Sequence, residues 1–216
     1  MTAPILELHG IHAAYLQKEI LRGVSLSVHA GEIVALLGEN GSGKSTTLKV
    51  IAGLLRPSQG IVRYNGIELN GLGVPERQRL GIGYLMQGGR VFPNLTVLEN
   101  FDLAAAEARD AGREQAQLGD CFPLLFDRCH DRAGLLSGGQ RQMLAIEMVF
   151  AQNPSLILLD EPSAALNTDY TDKLMAFFKE YILHSKAACL MVEQNVLTAK
   201  IVSHRTLLLR QGVVQT

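Results

Sequence analysis

Residues 38–45, Gly-Glu-Asn-Gly-Ser-Gly-Lys-Ser, leave this chain few folds to choose from. They fit G-x-x-x-x-G-K-[ST], a phosphate-binding loop. Residues 31–37, Gly-Glu-Ile-Val-Ala-Leu-Leu, precede it as an apolar run short enough for a buried strand. After it, Leu48, Val50, Ile51, Leu54 and Leu55 recur at helical spacing through residue 55. Strand, glycine loop and helix are the context that the motif requires. Gly38, Gly41 and Gly43 let the backbone close on an anion without Cβ clashes. The N–H groups from Asn40 and Ser42 to Thr46 then point inward at a helix N-terminus, where the dipole favours negative charge. Lys44 is placed to reach the β- and γ-phosphates of a nucleotide, and the Ser45 hydroxyl to sit on Mg²⁺. The loop by itself does not say which of many nucleotide-binding families this is.

The 216 residues suit one large domain, or one domain with a small inserted lobe. A net charge of −1 argues against nucleic-acid binding and against a polybasic membrane anchor. Cys121, Cys129 and Cys189 are odd in number and show no C-x-x-C spacing, as expected of reduced thiols in a cytoplasmic protein. Met1-Thr2-Ala3-Pro4 has no basic segment followed by a long apolar one, so no signal peptide is expected. No apolar run is long enough to span a bilayer. Work at a membrane would require another chain to bring this one there.

Read in order, Ile5, Leu6 and Leu8 begin a strand that turns near Gly10, and a second apolar stretch ends near Tyr15. Position alone makes Tyr15 an ordinary strand tyrosine, although an aromatic ahead of the loop is also placed to stack on adenine. Residues 24–28 alternate as a half-buried strand. Asn65-Gly66 between two short apolar runs is a hairpin signal. Residues 71–79 read as loop and short helix, and 82–86 as a buried strand ending at Gln87-Gly88-Gly89. Ligands collect at that edge of open α/β sheets. Gln87 is therefore either a loop residue or a side chain that reaches Mg²⁺ or an attacking water. Thr96 and Glu99 form a capping box that opens a helix to about Asp110. The polar stretch 111–133 predicts short helices, so residues 92–135 read as a helical lobe inserted between core segments 1–91 and 136–216.

Leu136-Ser137-Gly138-Gly139-Gln140 follows, then a helix carrying Met143, Leu144, Ile146 and Val149. Its serine-glycine start reads as plain capping or as a second anion site. Residues 156–159 are a fully apolar strand ending in Asp160 and Glu161, placed respectively to hold Mg²⁺ and to polarise the water that attacks a γ-phosphate. Residues 168–181 predict a helix with Leu174, Phe177, Phe178 and Tyr181 inward. A buried strand over 188–192 leads to Glu193-Gln194-Asn195, a short helix runs over 196–202, and a hairpin at Gln211-Gly212 closes the chain.

Together these residues resemble the nucleotide-binding subunit of an ABC transporter over nearly the whole chain. Residues 38–45 look like its Walker A, Gln87 its Q-loop, 136–140 its LSGGQ signature, 156–161 its Walker B with catalytic glutamate, and 163–167 its D-loop. Tyr15 matches the family's adenine-stacking aromatic. The resemblance implies an α/β P-loop NTPase core with a mixed central sheet, an N-terminal antiparallel β subdomain and an inserted α-helical subdomain. It implies ATP and Mg²⁺ as ligands, a homodimer or heterodimer of ATPase subunits, and membrane permease partners that hold the subunit at the inner face of the cell membrane. In such a dimer Ser137, Gly138, Gly139 and Gln140 face the phosphate loop of the other subunit. Residues 89–100, 142–146 and 192–195 are similar to ATPase subunits of branched-chain amino acid and urea importers. Those subunits often carry glutamine at the switch-histidine position, as Gln194 does here. Gln194 cannot be protonated and can only hydrogen-bond phosphate or water. The chain departs from the pattern at Asn167, where the D-loop aspartate is usual, and at Glu147-Met148-Val149 in the signature helix. A soluble ABC ATPase of DNA repair or translation would be expected to show a long coiled-coil insertion or a second cassette. A P-loop kinase would not need residues 136–140.

Overall fold

The computed structural model describes residues 3–110 and 117–215. Residues 111–116, expected among the short helices of the polar stretch, lie outside that range, as do Met1 and Thr2 of the N-terminal reading. In chain order the elements are β1 (Leu6–Tyr15), β2 (Lys18–Val28), β3 (Ile33–Leu37), α1 (Lys44–Ala52), β4 (Gln59–Tyr64), β5 (Ile67–Glu68), α2 (Val74–Arg79), β6 (Ile82–Leu85) and α3 (Val97–Asp110). Short 3₁₀ turns at Pro123–Leu125 and Ala133–Leu135 lead to α4 (Gly138–Ala151), β7 (Leu156–Asp160), α5 (Thr168–Ser185), β8 (Ala188–Val192), α6 (Val196–Val202), β9 (Arg205–Arg210) and β10 (Val213–Gln215).

The apolar runs become central strands because both of their faces are covered. Every residue of β3, β7 and β8 is buried, which explains why their sequences do not alternate. They belong to a six-stranded sheet of order β10-β9-β3-β8-β7-β6, parallel except where β10 turns back on β9. On one face Val34, Leu36, Leu158 and Leu190 pack with α1 residues and the N-terminal sheet. On the other, Ala35, Ile157, Leu159 and Met191 pack with α4 and α5 residues. The parallel direction sends the segments after β3, β6, β7 and β8 out at one edge, and all the sequence-predicted catalytic residues lie on those segments.

The N-terminal sheet has the order β2-β1-β4-β5 and is antiparallel. Gly10 does not turn the chain, contrary to the sequence expectation. β1 runs on to Tyr15, and its register against β2 shifts between Leu8 and Ile11. A bulge absorbs the extra residues there, with Gly10 at φ 57 and its N–H donating to Ser25 Oγ at 2.9 Å. Asn65 and Gly66 form the expected hairpin, both at positive φ, with Tyr64 paired to Ile67. α1 stops sooner than its apolar spacing predicts. Gly53 takes the left-handed conformation and caps it, leaving Leu54 49% exposed. α5 runs past Tyr181 to Ser185, where Lys186 caps it at φ 58. The predicted capping box forms at Thr96 with Glu99, and the predicted serine cap at Ser137 proves to be a second box, closed by Gln140.

Candidate functional site

The phosphate loop is wedged between β3 and α1 with no room for side chains at two of its glycines. A Cβ on Gly38 would lie 2.2 Å from the Leu209 carbonyl oxygen, and one on Gly43 would lie 2.7 Å from Leu21 Cδ2. The final hairpin supports the loop from behind, where Gly212 N donates to Ser42 O at 2.9 Å. Lys44 is 5% exposed, and its ammonium donates to Gly38 O at 2.7 Å and Glu39 O at 2.9 Å. Burial lowers the Lys44 pKa, against the attraction of Glu161 and Asp160. The Ser42 hydroxyl is buried and makes no hydrogen bond. Asn40, Gly41, Gly43, Lys44, Ser45 and Thr46 line a cleft of about 330 Å³.

Gln87, Glu161 and Gln194 line the same cleft, although more than thirty residues separate each from the next. Asp160 ends β7 and is 1% exposed; its Oδ1 accepts the Ser45 hydroxyl at 2.9 Å, and its Oδ2 accepts Tyr84 OH at 3.4 Å. Burial raises the Asp160 pKa, the Ser45 bond opposes that, and the Glu161 charge adds to it. Among the described residues there is no group of three or more His, Cys, Asp or Glu placed to hold a metal. One carboxylate beside one hydroxyl suits Mg²⁺, a hard cation that keeps several waters and takes its other oxygens from substrate phosphates. Glu161 sits at φ 54, a conformation that a non-glycine residue rarely adopts. Both of its carboxylate oxygens are occupied: Oε2 accepts Gln87 Nε2 at 2.9 Å and Oε1 accepts Gln194 Nε2 at 2.6 Å. Gln87, placed by sequence near a metal or attacking water, thus bonds the adjacent carboxylate.

Ser137, Gly139 and Gln140 line a different cleft, of about 260 Å³, with Ala165 and Asn167. The Gln140 carboxamide oxygen is engaged within the chain, accepting from Ser137 N at 3.0 Å and Arg128 Nη1 at 2.8 Å. This leaves the Ser137 hydroxyl proton and the exposed start of α4, including Gly138, as donors. Asn167 caps α5 by accepting Tyr170 N at 3.0 Å, a role that aspartate fills equally well. Tyr15 is 42% exposed, with Lys49 Nζ 5.9 Å from its ring centroid, and it stands outside the residues lining the phosphate cleft.

Sequence reading missed several buried polar residues. Arg77 caps the end of α1, donating to Val50 O and Ile51 O, both at 2.7 Å. Gln142 donates to Pro162 O at 3.1 Å, and Glu193 accepts Ser163 N at 3.1 Å. Glu147, noted only as a departure from pattern, is 2% exposed and accepts from Cys121 N at 3.0 Å and Phe122 N at 2.8 Å. For Glu147 the available signal was a charged residue interrupting the apolar run of α4, whereas Arg77, set in the polar sequence of α2, gave none.

The family model "ABC transporter" matches residues 21–164. A probable branched-chain amino acid transport ATP-binding protein, LivF of Archaeoglobus fulgidus, is 39% identical over 209 residues, covering 94% of this chain and 87% of that protein. The high-affinity branched-chain amino acid transport ATP-binding protein BraG of Pseudomonas aeruginosa is 36% identical over 200 residues, covering 92% and 85% respectively. A dimeric bacterial ABC transporter cassette superposes with a TM-score of 0.85 at 27% identity, over 98% of this chain and 97% of that one. The same cassette in a post-hydrolysis state, bound to ADP and Pi, gives 0.82 at 26% identity, over 98% and 97%.

Proposed function

The chain belongs to the ABC transporter family, in which it is an ATP-binding subunit and an ATPase, and from that premise we propose that it powers import of a branched-chain amino acid, urea or a related small solute through a separate membrane subunit. The observation that carries the ATPase assignment is the convergence of Lys44, Ser45, Asp160, Glu161, Gln87 and Gln194 at one sheet edge. The names of LivF and BraG support the solute class. Among the described residues no helix is long and apolar enough to cross a membrane. The chain works on the cytoplasmic side, held to the membrane by its permease, and the net charge of −1 argues against a nucleic-acid partner.

Lys44 leaves the Gly38 and Glu39 carbonyls to bind the β- and γ-phosphates, and the loop N–H groups from Asn40 to Thr46 surround them, with the Ser42 hydroxyl as a further donor. Tyr15 stacks on the adenine. Ser45 and Asp160 would hold Mg²⁺, with Gln87, once released from Glu161, as a further ligand, and the ion would supply positive charge against the phosphates. Glu161 takes the proton of the water that attacks the γ-phosphorus, so that ADP and phosphate leave. Gln194 orients that water or the phosphate by hydrogen bonding alone. Ser137, Gly138 and Gly139 of a second ATPase subunit, with Gln140 fixing their geometry, supply the opposite wall. The phosphate loop and the signature lie on different clefts of one chain, which suits a pair of sites shared between two subunits. Within residues 92–135, α3 and the 3₁₀ turns at Pro123–Leu125 and Ala133–Leu135 would pass closure to the permease.

Glu161→Gln tests the base assignment. Phosphate release is expected to fall by about 10²–10⁴-fold, with ATP affinity changed little; turnover at the wild-type rate would refute the assignment. Purifying the assembled complex and measuring which solute stimulates its ATP turnover tests the import reading. Stimulation by a branched-chain amino acid or urea is expected, and indifference to all of them would overturn it.

A further inference from the structure

Gln142 and Glu193 hold the two polar ends of one peptide unit, that between Pro162 and Ser163, from opposite sides. Gln142 lies on α4, near the signature start, and is 2% exposed. Its Nε2 donates to Pro162 O at 3.1 Å, and a Cβ on Gly89 of the segment after Gln87 would lie 2.5 Å from its Oε1. Glu193 follows β8, is 3% exposed, and accepts the Ser163 N–H through Oε1 at 3.1 Å. The frame includes Glu161, whose N–H donates to Val192 O at 2.9 Å and whose side chain accepts from Gln194 at 2.6 Å. The start of α4 meets the same loop a second time, since a Cβ on Gly139 would lie 2.8 Å from Ala165 O. Glu161 and Ala165 both have positive φ, so this segment is held in conformations that it would not adopt unsupported. Burying a carboxylate near a second carboxylate is costly, and hydrogen bonds from the Ser163 and Gln194 backbone to Glu193 offset that cost. An apolar residue would fill the space at lower cost but could not fix the loop.

We infer that Glu193 and Gln142 are positioning residues for hydrolysis: they clamp the C=O and the N–H of the 162–163 peptide, keep the Glu161 carboxylate aimed at the attacking water, and tie its placement to that of α4. The inference rests on the reading of Glu161 as the base. It links the switch segment, the loop after β7 and the signature helix within one chain. A shift of α4 against a partner subunit is therefore felt at Glu161.

The test is steady-state ATP hydrolysis by the full chain, with thermal unfolding measured in parallel, for Glu193→Ala, Glu193→Gln and Gln142→Met. Glu193→Ala is expected to lower kcat by about 10–100-fold while KM for ATP stays within about two-fold, because the phosphate loop is untouched. Glu193→Gln retains an oxygen for the Ser163 N–H and is expected to recover kcat to within about three-fold of wild type. Gln142→Met keeps the side-chain length, loses the bond and also lowers kcat. Combined with Glu193→Ala it falls short of the product of the two single effects, because both release the same loop. Wild-type kcat in Glu193→Ala, or equal losses in its alanine and glutamine variants, would overturn the inference. If Glu161→Gln is inactive while Glu193→Ala is fully active, only this inference fails. If Glu161→Gln is fully active, the base assignment beneath it fails first.

Discussion

Arg77→Met removes the cap on the far end of the helix that carries Lys44 and Ser45. Arg77 is 3% exposed and serves four carbonyls: Val50 and Ile51 at 2.7 Å, Leu69 at 2.6 Å and Leu72 at 3.0 Å. Val50 O keeps a backbone donor in Gly53 N at 3.2 Å, and Leu69 O keeps one in Leu72 N at 2.9 Å. For the Ile51 and Leu72 oxygens the guanidinium is the donor. Two acceptors stripped of a buried partner cost about 2–6 kcal/mol together. Loss of a cation at a helix C-terminus adds about 0.3–1 kcal/mol. Arg77 borders a cleft of about 110 Å³, so water can reach the freed oxygens, and the lower half of the range applies, about 3 kcal/mol. At this chain length each kcal/mol moves Tm by about 2–4 °C, so thermal unfolding followed by circular dichroism is expected to shift down by about 6–12 °C. ATP affinity stays within about three-fold, since the loop at the other end of α1 keeps its supports. A Tm within about 2 °C of wild type would refute the reasoning, because the four bonds would then contribute nothing net.

Two predictions concern pH. Burial, with the Asp120 charge adding to it, pushes the Glu147 pKa up to about 7 from 4.5, against the bonds from Phe122 and Cys121. The folded chain therefore keeps a proton that the unfolded chain releases between those values. The stability this provides is complete below the unfolded pKa and is lost as pH rises to about 7, an effect of about 2–4 kcal/mol. Denaturant titrations from pH 5 to 8 should show the decline in wild type and a flatter profile in Glu147→Gln; identical slopes would contradict it. At position 194 the wild-type glutamine adds no titration to turnover. Gln194→His is expected to add an inflection in log kcat between about pH 6 and 7.5, and an unchanged profile would place residue 194 away from the reacting groups.

Local signals were the legible ones. The phosphate loop, the Asn65-Gly66 hairpin and the caps at Thr96 and Ser137 depend on neighbours within a few residues, so their chemistry is written in short windows. The order of motifs then carried the assembly of Ser45, Asp160, Glu161, Gln87 and Gln194. Gly10 was misread because a bulge and a turn use the same glycine conformation, and only pairing with β2 and β4 distinguishes them. The spacing of Leu54 and Leu55 continued the α1 pattern past Gly53, where left-handed capping ended the helix. The buried roles of Arg77, Gln142, Glu147 and Glu193 escaped notice for a common reason. A charged or amide side chain reads as surface unless its partner is known, and each partner is contributed by a segment elsewhere in the chain.

The central claim is that residues 38–45 and Glu161 make half of a hydrolytic site, completed by Ser137, Gly138 and Gly139 of a second subunit. The most direct measurement is specific ATPase activity against protein concentration, with oligomeric state followed by sedimentation in the same samples. Specific activity is predicted to rise with concentration in step with the ATP-bound dimer, while the monomer binds ATP and hydrolyses it poorly. A specific activity that is constant across the range, in samples that remain monomeric, would contradict the account.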